Sequence, residues 1–315
     1  MRGETPARHW ASIGETTFVT GIQLLCAIER WLGRWPFRLC LAPVVLAHWL
    51  LDGRARRASQ EYLQQLQQAH AVFTHAPGAW RSLRHFACFA ETLLDKLLAS
   101  RGRFPPVQVE GVAVMRTQMV RGQGGVIVTA HLGCLELCQA LADRVPELRV
   151  TALVHTAHAE DFNRLLARLN PNGRVRLLQV TALDAAMAVR LGERVAAGEF
   201  IAIAGDRVPL HGGRCVWAPF LGRLAPFPIG PYVLAAALGC PLFAMACIHG
   251  GAGYRLSFEC FSERVLLPRA TRETALTEQA KHYANWLETQ LCYAPLDWFN
   301  FFPFWDQYND VDAVH

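Results

Sequence analysis

Eleven residues near the middle of the chain combine a buried-strand pattern with acid–base chemistry: Val126-Ile127-Val128-Thr129-Ala130-His131-Leu132-Gly133-Cys134-Leu135-Glu136. The apolar run reads as a strand, Gly133 permits a sharp turn, and Glu136 falls in the first turn of a following helix. A spacing of five separates two side chains around a regular helix, so His131 and Glu136 meet only if His131 sits before the helix, on the loop. Placed there, Glu136 accepts from one imidazole nitrogen, fixes the tautomer and leaves the other nitrogen free as a base. The carboxylate also stabilises the imidazolium that forms when the base takes a proton. These are two thirds of a triad without a nucleophile of their own, which points to a substrate hydroxyl as the nucleophile. A competing reading is metal binding: His131, Cys134 and Cys138 would share one face if His131 were helical, although a fourth ligand is missing.

The elements that must position this pair are short apolar runs alternating with helical stretches. Strands are expected at Gly125–Ala130, Val150–Val154, Val175–Val180, Phe200–Ala204, Pro241–Ile248 and Tyr254–Phe261. Helices are expected at Leu135–Arg144, Ala159–Leu169, Leu183–Ala197, Pro231–Leu238 and Arg272–Leu291, with two more between Ser59 and Ser100. Such alternation predicts an α/β fold with a mostly parallel central sheet flanked by helices. Ligands collect at the carboxyl ends of strands in open sheets of this kind, which directs attention to His131, His155 and the Gly205-Asp206-Arg207 turn. Asp206 and Arg207 either hold that loop or face substrate. His155 and His158 either line the cleft or cap a helix. Gly230-Pro231 opens a helix whose amides either hold an anion or simply start it. The aromatic tail from Trp298 to Trp305 reads as core.

With 315 residues, 52% apolar and 18% charged, disorder and low-complexity classes are excluded. The formal charge is +5, and all but two of the 31 basic residues are arginine, Lys96 and Lys281 being the lysines. That mix suits phosphate or carboxylate recognition and equally fits a coding bias. Ten cysteines without a CxxC, several in apolar surroundings, point to a reducing compartment, and the first residues do not read as a signal peptide. Phe18–Ile28 and Leu39–Leu51 are apolar but shorter than the roughly 20 residues of a spanning helix. With Trp10, Trp31, Trp35 and Trp49 and the cluster Arg54, Arg56 and Arg57, they read as an amphipathic helical segment lying in a membrane interface, or as a buried helical hairpin. The expected organisation is thus residues 1–58 as a membrane-associating segment and 59–315 as the α/β domain.

His131 followed five residues later by Glu136 resembles the hallmark of the lysophospholipid acyltransferase superfamily, and within it the lipid A (late) acyltransferases. Gly205-Asp206-Arg207, Phe220-Leu221-Gly222-Arg223, Phe227-Pro228-Ile229-Gly230-Pro231, Gly239-Cys240-Pro241-Leu242 and the aromatic block Trp298-Phe299-Asn300-Phe301 are similar to that family's later blocks in order and spacing. The resemblance covers residues 17 to 306. It departs from the family at Cys134-Leu135, where an Asn-Trp pair is usual, and in the stretch from Val154 to Arg164. It implies transfer of a fatty acyl group from an acyl carrier protein or coenzyme A thioester to a lipid or glycolipid hydroxyl, at the cytoplasmic face of a cell inner membrane, as in lipid A biosynthesis. His131 and Glu136 are then catalytic, Arg164, Asp206, Arg207 and Gly230 contact substrate, and no metal, redox cofactor or nucleic acid takes part. The amides opening the helix near Leu135 would receive the oxyanion. Two alternatives are a polyene-pigment or fatty-acid-derived pathway for the same chemistry, and a non-catalytic partner that holds lipid in the acyl groove.

Overall fold

The computed structural model describes residues 30–31, 33–142, 145, 147–154, 175–179, 185–208 and 214–307. Three helices lead the chain: α1 (Arg34–Leu51), α2 (Gly53–His70) and α3 (Ala79–Ala99). There follow β1 (Val107–Glu110), α4 (Val112–Val120), β2 (Gly125–Thr129), α5 (Leu135–Ala142), β3 (Arg149–Val154), β4 (Val175–Gln179), α6 (Ala185–Ala196) and β5 (Glu199–Ala204). A hairpin of β6 (Cys215–Phe220) and β7 (Arg223–Pro228) precedes α7 (Gly230–Leu238), β8 (Leu242–Gly250), β9 (Gly253–Ser262) and α8 (Arg272–Tyr293).

Seven strands form one mixed, mostly parallel sheet in the order β1-β9-β8-β2-β5-β3-β4. The pairs β8–β2, β2–β5, β5–β3 and β3–β4 are parallel, whereas β9 runs antiparallel to β8 and carries β1 parallel to itself. Alternation along the strands divides the core between the two faces. Val126, Val128, Ala244 and Ile248 pack with Tyr232, Tyr283, Trp298 and the hairpin's Phe220 and Phe227. Ile127, Phe243, Met245 and Cys247 pack on the other face with Cys134 and Leu137. All six expected strands are present. The expected helix at 159–169 lies outside the described residues.

The start of the chain differs from expectation in three respects. α2 runs unbroken from Gly53 to His70, so the expected boundary after residue 58 falls inside a helix. Arg56 does not face outward: it donates to the carbonyls of Trp49 and Leu50 at 2.7 and 2.9 Å and lies over the Trp49 ring, satisfying orphan acceptors at the α1 terminus. Trp49 itself donates to Ser82 Oγ at 3.0 Å, so it also faces the protein. α1 is apolar on opposite sides. Phe37, Leu41 and Val45 pack against Phe86, Leu94 and Leu97 of α3, with Arg34–Asp95 and Arg38–Glu91 ion pairs holding the two helices together. Trp35, Leu39, Leu46 and Leu50 form a second stripe, which is exposed. Among the described residues no helix is long and apolar enough to cross a membrane. Trp10 and residues 18–28 lie outside them.

Candidate active site

Two parallel strands bring His131 and Asp206 together. β2 and β5 pair in register as Thr129 with Ala204, and two residues beyond each partner stand His131 and Asp206. The end of β2 is fixed by its Thr129 carbonyl, which accepts from Gly205 N at 2.9 Å and from the Tyr283 hydroxyl at 2.8 Å. Past it the chain leaves the sheet with His131 on the loop, the placement a pairing with Glu136 would need, and α5 begins at Leu135.

The orienting carboxylate is Asp206, not Glu136. Asp206 Oδ1 lies 2.8 Å from His131 Nδ1, and Asp206 Oδ2 accepts the His131 backbone N–H at 2.9 Å. Oδ2 also accepts from Trp298 Nε1 at 3.0 Å and Asn300 Nδ2 at 2.9 Å. A fully buried carboxylate engaged four times has no face left for a ligand, so what Asp206 holds is the His131 ring and backbone. Burial opposes its ionisation, but the charges of His131 and Arg207 and the hydrogen bonds from His131 hold the carboxyl well below the usual range. His131 Nδ1–H therefore points at an anion, and Nε2 has no hydrogen-bond partner among the described residues. The ring is about a third exposed, at 36%. Burial and the nearby Arg207 lower the imidazole pKa, partly offset by Asp206, so the ring is neutral at neutral pH.

Glu136 pairs instead with Lys96 of α3 at 3.1 Å, and its Oε2 is buried without a hydrogen-bond partner among the described residues. The physical reason is competition. Asp206 reaches His131 from an adjacent strand end and takes both its ring and its backbone N–H, while Glu136 turns towards the α3 ammonium. Arg207 Nε donates to Asn300 Oδ1 at 2.8 Å and Nη2 to the Phe299 carbonyl at 3.2 Å, with the guanidinium over the Phe302 ring. Asn300 thus bridges Asp206 and Arg207 with opposite ends of one amide. Gly230 opens α7 against Ile203, and no hydrogen bond joins it to His131 or Asp206. His155, His158 and Arg164 lie outside the described residues.

The Asp297–Asn300 segment locks the His131–Cys134 loop from the other side. Gly133 N donates to the Asp297 carbonyl at 2.9 Å, Phe299 N donates to the His131 carbonyl at 2.8 Å, and Cys134 N donates to the Cys247 carbonyl at 2.8 Å. Those amides are engaged, which leaves Leu135 and Glu136, in the first turn of α5, as the N–H groups with no intrahelical acceptor. The aromatic tail is core, as expected, and is also hydrogen-bonding machinery. Asn300 carries no sequence signal beyond its place in that tail, and Asp297, just before it, carries none.

His85 braces this segment from behind, with Nδ1 3.0 Å from Ser59 Oγ and Nε2 2.9 Å from the Trp298 carbonyl. Burial lowers its pKa from 6.5 to about 4. The unfolded chain takes this proton near 6.5 and the folded one only near 4, so the unfolded state binds more protons between those values. Stability is therefore expected to fall as pH drops through that window, by about 3 kcal/mol in all. Denaturant midpoints measured against pH should show a shallower slope in His85→Gln than in the parent; equal slopes would refute this assignment.

No protein-family model matches the chain, and no curated protein shows significant similarity to it.

Proposed function

We propose that the protein is a membrane-surface O-acyltransferase of the lipid A late-acyltransferase type, moving a fatty acyl group from an acyl carrier protein or coenzyme A thioester to a lipid or glycolipid hydroxyl. The observation that carries this reading is the His131–Asp206 pair: an imidazole fixed in ring and backbone, neutral, with Nε2 open and no protein nucleophile on it. His131 Nε2 takes the proton of the acceptor hydroxyl as its oxygen attacks the thioester carbonyl. Negative charge gathers on the former carbonyl oxygen, opposite the Leu135 and Glu136 amides. Collapse breaks the carbon–sulfur bond, and the imidazolium returns the proton to the leaving sulfur. Asp206 stabilises the cation between the two transfers without itself being protonated.

The exposed stripe of α1 supports a membrane location. A helix whose inner stripe is already packed on α3 and whose outer stripe carries Trp35, Leu39, Leu46 and Leu50 matches a helix lying in the interface of the cytoplasmic leaflet, peripheral or monotopic. Lipid acceptor and acyl chain would then both reach His131 from the bilayer.

The test is direct. The purified full chain is incubated with lipid vesicles, lipid and glycolipid acceptors and long-chain acyl thioesters on either carrier, with thiol release and lipid mass followed together. Ester formed one-for-one with thiol is expected. Retention of acyl lipid without thiol release would overturn the enzyme reading in favour of a lipid-holding protein, and hydrolysis alone would overturn the transfer.

A further inference from the structure

A second imidazole–carboxylate pair, outside the acyl-transfer chemistry, carries a thiol. His249, near the end of β8, has Nδ1 2.9 Å from Asp297 Oδ1, while its backbone N–H donates to Asp297 Oδ2 at 2.6 Å. Cys88 of α3 points its Sγ at the same Oδ1 at 3.3 Å, with His249 Nδ1 3.9 Å away. A soft thiol, an imidazole and a carboxylate from three separate elements thus converge on one point.

We infer that Cys88, His249 and Asp297 form a site for a zinc-class divalent transition metal. Around a tetrahedral ion with bonds of about 2.0–2.3 Å, donor atoms lie roughly 3.3–3.7 Å apart. The three separations here, 2.9, 3.3 and 3.9 Å, reach that pattern with shifts of a few tenths of an ångström. The donor set selects the metal class. Thiolate with imidazole suits zinc and its neighbours, and not calcium or magnesium, which take oxygen. Asp297 would bind through Oδ1 with Oδ2 already pinned by a backbone N–H, the outer-shell support that fixed metal carboxylates have. Asp95 and Glu91 of α3 also lie near His249, but they are already paired with Arg34 and Arg38, so Asp297 is the carboxylate that would meet the ion. Asp297 is 2% exposed and the His249 side chain 36%, so the cluster is buried on the carboxylate side and reaches solvent through the imidazole.

Binding is balanced by proton release. Cys88 gives up its thiol proton to solvent, and the Nδ1 proton leaves His249, which binds as the Nε2–H tautomer. The ion would tie α3 and β8 to the segment that carries Trp298 and Asn300 to Asp206.

The purified full chain is dialysed against zinc and, separately, cobalt(II), then freed of unbound metal. One retained zinc per chain is expected, with a thiolate-to-cobalt charge-transfer band and intense tetrahedral ligand-field bands in the cobalt form. Cys88→Ser should abolish the charge-transfer band and weaken zinc binding at least ~100-fold, because a metal ligand matters more than its outer-shell partners. His249→Gln should also lose the metal, whereas Cys40→Ser, on exposed α1, should keep it. No retained zinc, or an unchanged charge-transfer band in Cys88→Ser, overturns the site. Cys88→Ser alone decides if His249→Gln does not fold, and neither readout depends on acyl transfer.

Discussion

Asp206→Asn is expected to lower acyl transfer by about 10²–10⁴-fold, nearly as much as removing His131 itself, with the fold retained. The reason is the tautomer. Trp298 Nε1, Asn300 Nδ2 and the His131 backbone N–H all donate to one carboxylate oxygen, so the carbonyl of an asparagine must sit there. Its NH2 group then faces His131 Nδ1, which has to accept rather than donate. The ring proton moves to Nε2, and the nitrogen aimed at substrate is no longer a base. Glu136→Gln has no such route to the imidazole, because Glu136 pairs with Lys96, and it should cost less than about tenfold. If the spacing of His131 and Glu136 defined the dyad, the two effects would be reversed. The pH profile adds an independent readout. Only neutral His131 accepts a proton, so the parent's rate should rise with pH through a midpoint below 6.5 and be level at neutral pH. Asp206 raises that midpoint, so Asp206→Asn should move the residual activity's midpoint lower still. Initial rates of thiol release from acid to neutral pH measure both effects.

How much of this was legible beforehand depends on how far each feature reaches along the chain. β2, the loop histidine and the start of α5 were readable because an apolar run, a glycine and a helix start are local signals. The identity of the second carboxylate was not, although Asp206 stood out as a charge after a strand. Choosing it over Glu136 requires knowing that β2 and β5 are neighbours in register, and strand order is decided by packing across the whole sheet. The β6–β7 hairpin is hidden in the sequence for a different reason. Pro219, Pro226 and Pro228 argue against strands, and its two-residue turn puts Leu221 at φ 49 beside Gly222 at φ 79, where an Asn-Gly pair would have announced it. Its survival rests on burial of Phe220 and Phe227 against Trp298, Phe304 and Tyr283, a contact set closed only by the end of the chain. Asp297 and Asn300 share that difficulty, since polar residues at or within an aromatic run disclose their partners only once His249, Asp206 and Arg207 are in place.

Gly133→Ala should be strongly damaging although Gly133 lies outside the dyad. Gly133 has φ +60, where an alanine alone costs about 1 kcal/mol. Its Cβ would also lie 1.9 Å from the Cys247 carbonyl oxygen and 3.0 Å from Ile248 Cα, both backbone atoms of β8. Neither side has room to yield. The Cys247 carbonyl is held by Cys134 N, the Gly133 N–H by the Asp297 carbonyl, and Cys247 sits inside the sheet between β2 and β9. The expected loss is on the order of 4 kcal/mol or more, since a strand or the His131–Cys134 loop must move. Gly239→Ala isolates the conformational part: Gly239 has φ +61 at the end of α7, with nothing within 4 Å of its Cβ position. That variant should lose only about 1 kcal/mol and keep its activity. Denaturant unfolding of the two side by side separates close approach from backbone preference, and equal losses would refute the packing argument. Any Gly133→Ala protein that still folds must carry His131 and the α5 amides away from Asp206 and Asp297. Its turnover should therefore fall even where its helix content does not.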